Sequence, residues 1–124
     1  MQSTFLRNGA ILLAFGWIAL SAPPALAHAI IVEATPSPDA VIHGASVAIK
    51  LRYNSRIDHA RSRLILLDGV GNETPVPLAA DNPTDQLAAE ITGIAPGQYR
   101  LRWQVLALDG HITRGDIPFT IVTP

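Results

Sequence analysis

The chain has 124 residues, with nine Lys and Arg against ten Asp and Glu, four His and no Cys. A formal net charge of -1 argues against the basic face of a nucleic-acid-binding protein. The lack of cysteine excludes disulfides, a thiolate metal site and a cysteine nucleophile.

The first 27 residues read as a secretory signal peptide. Arg7 precedes an apolar run from Ala10 to Leu20, a Ser-Ala-Pro-Pro break follows, and the segment ends in Ala25-Leu26-Ala27, a small-x-small cleavage pattern. The apolar run falls well short of the roughly 20 residues a membrane-spanning helix needs. No arginine pair precedes it, which points to the general secretion route rather than twin-arginine export. Cleavage after Ala27 leaves residues 28–124, enough for one small domain and too few for two. That domain would begin at His28.

Beyond residue 27, short stretches alternate apolar and polar residues with the period of a strand. SVAIKLRY places Val47, Ile49, Leu51 and Tyr53 on one face, with Lys50 and Arg52 on the other. GQYRLRWQV alternates Tyr99, Leu101, Trp103 and Val105 against Arg100, Arg102 and Gln104, which makes Trp103 a core residue. Ile117, Phe119 and Ile121 share a side near the C-terminus, Leu87, Ala89 and Ile91 match more weakly, and RLILLDG reads as a strand buried on both faces. Pro, Gly, Asp and Asn clusters separate these runs, and the many prolines oppose long helices. About seven strands are predicted, over 29–34, 46–53, 62–67, 75–79, 86–92, 98–107 and 116–122. Short strands at this spacing imply an all-β, two-sheet sandwich.

Neither Gly-x-Ser-x-Gly nor a glycine-rich phosphate loop is present, so hydrolase and nucleotide chemistry have no support. Arg56, Arg61 and Arg63 read as a solvated loop and strand edge beside Asp58. Asp109-Gly110-His111 is different. In extended backbone an Asp and a His two residues apart point the same way and reach one small ion. A newly exposed N-terminal His28 adds an α-amine and a ring Nδ1, which close a six-membered chelate ring on a metal. The resulting set of three nitrogens and one carboxylate oxygen suits Cu(II), whereas Cu(I) prefers sulfur ligands. Zinc is the competitor by donor type. A free α-amine titrates near pH 7.7–8.0 and a free imidazole near 6.5, so binding releases protons and weakens in acid.

Taken together, the start HAIIVEATPSPDAVI, the Leu-x-Asp-x-x-Gly turn at Leu67 to Gly71, PGQYRLRWQVLALDGHITRG and the closing IPFTIV resemble the CopC family of periplasmic copper-resistance proteins. The resemblance covers essentially all of residues 28–124. It implies a Greek-key β-sandwich, immunoglobulin-like or cupredoxin-like, that binds one Cu(II) per chain through His28, Asp109 and His111. It also implies a periplasmic, non-enzymatic, monomeric carrier, chaperone or buffer in copper homeostasis, working with a CopD-type inner-membrane partner. Some members hold Cu(I) in a methionine-rich loop. Here the single methionine is residue 1, so a Cu(II)-only type is expected. The chain departs from the family at Ala107, where serine is common, and at Ile112, where proline is frequent.

Two other readings compete. An N-terminal histidine with a second histidine is also the donor set of histidine-brace copper oxidases and monooxygenases. A metal-free sandwich would make Asp109-Gly110-His111 a plain turn in an interaction module. His43, in the turn region after the first strand, and His59, in the loop before the third, are read as surface histidines.

Overall fold

The computed structural model describes residues 29–124; the expected signal segment, the boundary after Ala27 and His28 itself lie outside the described residues. Eight strands form two sheets: β1 (Ile31–Thr35), β2 (Ala40–His43), β3 (Ser46–Tyr53), β4 (Arg63–Leu67), β5 (Glu73–Val76), β6 (Gln86–Thr92), β7 (Gly97–Leu106) and β8 (Ile112–Val122). One sheet has the order β1-β3-β6 and the other β2-β8-β7-β4-β5. The two make an all-β, immunoglobulin-like sandwich. The only helix among the described residues is a 3-10 turn, His59–Arg61.

Alternation places the core where the sequence implies. In β3, Val47, Ile49, Leu51 and Tyr53 are buried and their neighbours exposed. Leu101 and Val105 of β7 meet Ile117, Phe119 and Ile121 of β8 and Leu87 of β6 in one cluster. Burying such a side chain contributes about 1.5–3 kcal/mol, and with no disulfide this cluster is the main source of stability. Trp103 is half-buried rather than fully enclosed, and meets Tyr53 edge to face with ring centroids 5.6 Å apart.

Four expectations need correction. β2 is an additional strand, hidden behind Pro-Ser-Pro-Asp, and it pairs in parallel with β8, from Ala40 opposite Phe119 to His43 opposite Val122. β8 begins at Ile112 rather than 116, because Thr113, Arg114 and Gly115 carry no apolar alternation yet continue the β7–β8 ladder to Leu106. β5 covers Glu73–Val76 rather than 75–79. β4 is one-sided: Leu64 and Leu66 join the core, while Ile65 and Leu67 are half-buried on the other face of the sheet.

Tyr53 and Ser55 each bury a hydroxyl that has no hydrogen-bond partner among the described residues. Burial pushes the Tyr53 phenol up, away from ionisation. Removing a hydroxyl that makes no bond to the protein should cost little. Tyr53→Phe is therefore expected to change stability by less than about 0.5 kcal/mol or to raise it, measured by urea unfolding. A loss of several kcal/mol would show that the hydroxyl is bonded.

Candidate metal centre

Asp109-Gly110-His111 forms the turn between β7 and β8. The Gly110 N–H donates to the Ala107 carbonyl and the Ala107 N–H to the His111 carbonyl, both at 2.9 Å. Gly110 sits at φ +92, in the left-handed region where a side chain is costly. The backbone is thus a tight turn, as an Asp-Gly pair between two strands implies, and not the extended backbone on which the expected shared direction of the two side chains rests. The turn nevertheless brings the two side chains together.

Both carboxylate oxygens of Asp109 face His111. Oδ1 accepts the His111 backbone N–H at 3.1 Å, and Oδ2 lies 2.6 Å from the ring Nδ1. An ionised carboxylate only accepts, so in the metal-free pair Nδ1 carries the proton and donates it. The same spacing suits a metal: two cis donors each about 2.0 Å from one ion stand roughly 2.8 Å apart. Loading both atoms onto one ion displaces the Nδ1 proton. The His111 side chain is 61% exposed, so the pair is open to solvent.

The surroundings hold this turn firmly. Asp58 donates its N–H to the Leu106 carbonyl at 2.8 Å, and Ser62 Oγ bridges the Asp58 carbonyl (2.6 Å) and the Leu106 N–H (3.1 Å). Ile57 forms a bridge with Ala107, fixing the end of β7 one step before the turn. On the other side, Thr113 Oγ1 donates to the Ala29 carbonyl at 3.0 Å. Asn54 clamps the next residue from both directions, accepting the Ile30 N–H and donating its own N–H to the Ile30 carbonyl, each at 2.9 Å. The start of the described chain is therefore anchored two residues from His111. These polar supports were not legible in the sequence, where Ser62, Asn54 and Thr113 look like ordinary loop or strand residues.

The other histidines separate from the pair. His43 is exposed on β2 opposite Val122, about 33 Å along β8 from Ile112. His59 is half-buried, not a plain surface residue, and its Nε2 lies 2.7 Å from the Gln86 carbonyl, to which it donates. Among the described residues no cluster of three or more His, Asp or Glu side chains exists. Asp109 and His111 are the two candidate donors within them. Ala107 is buried and shapes the turn through its backbone, so the serine common at that position is not needed here to close it.

The CopC domain model matches residues 31–122, from the first strand to the last. The chain belongs to the CopC family. Among curated relatives, Protein YobA of Escherichia coli strain K12 is 29% identical over 106 residues, covering 82% of this chain and 85% of its own. The solved structure of CopC from Methylosinus trichosporium OB3b is 28% identical, covers 77% of this chain and 95% of its own, and superposes with a TM-score of 0.69. PcoC from Escherichia coli, a methionine-rich copper resistance protein, is 21% identical over 77% of this chain and all of its own, with a TM-score of 0.64. At that identity PcoC shows a shared fold. The CopC match ends at Val122 and so contains the whole β7–β8 turn and both candidate donors.

Proposed function

We propose that this protein is an exported copper-binding carrier or buffer that holds one Cu(II) per chain through His28, Asp109 and His111. Membership of the CopC family supports the copper reading. The observation that carries the site is the 2.6 Å approach of Asp109 Oδ2 to His111 Nδ1 in an exposed turn, two residues from the anchor of Ala29. His28 is bonded to Ala29, so its amine and ring start one residue from that anchor. Three nitrogens and a carboxylate oxygen fit tetragonal Cu(II).

Residues 1–27 act in this reading as the signal peptide, and removal of that segment frees the amine in the periplasm. A CopD-type membrane protein is the proposed recipient or donor of the metal. The sole methionine is residue 1, so a thioether Cu(I) site has no ligands after cleavage. The protein is a monomer in this reading, and it is non-catalytic, since a carboxylate on the ion favours a filled Cu(II) site over oxygen activation.

Titration of the protein beginning at His28 with Cu(II), in competition with a chelator, tests the site. Asp109→Ala and His111→Ala are each expected to weaken binding by at least the roughly 10- to 100-fold that supporting residues of metal sites command. Unaltered affinity in both variants would overturn the assignment.

A further inference from the structure

The outer face of the larger sheet carries a charge pattern that copper binding does not use. Register puts Arg63, Gln104 and Arg114 in one row across β4, β7 and β8, Ile65, Arg102 and Asp116 in the next, and Leu67, Arg100 and Pro118 in the third. Rows of one face lie about 7 Å apart and strands about 4.8 Å apart, so the guanidinium groups form a two-dimensional array. Four of the nine basic residues of the chain stand here with two of its ten acids, Asp116 and Glu73. The face is therefore cationic on a chain that is slightly acidic overall.

The arginines are not equivalent. Arg102 grips Asp116 with Nε 2.9 Å from Oδ1 and a second nitrogen 3.2 Å from Oδ2. That grip holds the Asp116 carboxyl below the usual carboxylate range. Arg114 donates only to the neutral Gln104 Oε1, at 3.0 Å, and Arg63 has no ion-pair partner among the described residues. Arg63 and Arg114 thus keep their charge for an outside partner. Together with Arg102 and Trp103 they border a shallow cleft of about 350 Å³, room for a phosphate headgroup.

Both ends of the array carry exposed aliphatic side chains. Leu108 (63% exposed) and Ile112 (51%) flank the metal-site turn, and Val70 (84%) tips the β4–β5 turn at the opposite end. A cationic sheet face rimmed by exposed aliphatics matches a planar anionic surface with an apolar layer beneath it. An acidic peptide would call for a groove along one strand edge, and these charges lie across three strands instead.

We propose that this face docks the protein onto anionic phospholipid, with Arg63 and Arg114 taking headgroup phosphates and the β7–β8 turn at the membrane edge of the contact. This is independent of whether the turn binds copper.

Co-sedimentation of the exported protein with phosphatidylcholine vesicles, with and without phosphatidylglycerol, tests it. Binding is expected only with phosphatidylglycerol and should fall as salt is added. Arg63→Gln with Arg114→Gln should weaken it about 30-fold, at roughly fivefold for each charge removed near the surface. Lys50→Gln with Arg52→Gln removes the same charge from the exposed side of β3, in the other sheet, and should leave binding unchanged. Equal weakening by both pairs would reduce the effect to net charge and overturn the proposal. No binding to phosphatidylglycerol vesicles at low salt, or capture of a poly-glutamate peptide without vesicle binding, would overturn it too.

Discussion

One extra residue ahead of His28 should cost Cu(II) affinity more than the 10- to 100-fold typical of changes around, rather than at, a metal ligand. The extension converts the α-amine into a peptide nitrogen and opens the chelate ring between that nitrogen and Nδ1. Asp109 and His111 would remain 2.6 Å apart, because their geometry is set by Gly110 and the Ala107 hydrogen bonds and not by the chain start. The extended protein should therefore melt like the parent without metal and fail only in competitive Cu(II) titration. Equal affinities would show that the amine is no ligand. Acidification should weaken binding in both proteins, because the imidazoles protonate in each, and more steeply in the parent, which also loses the α-amine as a donor.

Gly115→Ala is expected to cost stability far beyond an ordinary surface change. A Cβ at residue 115 would lie 2.6 Å from Cζ2, 2.8 Å from Cε2 and 2.9 Å from Nε1 of Trp103, which stands opposite on β7. The indole also meets Tyr53 edge to face and packs against the core, so moving it away from a new Cβ disturbs those contacts. Overpacking of this kind costs about 1–3 kcal/mol. For a domain of this size that lowers Tm by on the order of 10 °C. Trp103→Leu should relieve the clash, so the double variant should be more stable than the sum of the two single losses. Additive losses in that cycle would refute the contact.

Most of the sandwich was legible because it rests on alternation, and a residue such as Leu51 or Phe119 has one face to choose. What escaped has a common physical cause. β2 offers only Ala-Val-Ile-His, too short for a period, and owes its strand form to the parallel partnership with β8. The first turns of β8 carry Gly115 because Trp103 occupies that space, so the apolar signal is on the neighbouring strand. Asp109 and His111 were found from chemistry, and the Asp-Gly pair marks a turn there. Only the shared direction of the two side chains rested on extended backbone, where the structure reaches it through the turn itself. The rows of arginine are visible in β7 alone as Arg100 and Arg102. Their assembly with Arg63 and Arg114 needs the register of three strands.

The last strand lies inside the larger sheet, between β7 and the early strand β2, and brings Ile117, Phe119 and Ile121 to the core. Until β8 is in place, β2 has no edge to join and β7 lacks one of its two neighbours. The larger sheet therefore cannot close hairpin by hairpin along the chain. Completion of the sandwich waits on pairing between segments about 80 residues apart in sequence, which is the slow kind of contact to form.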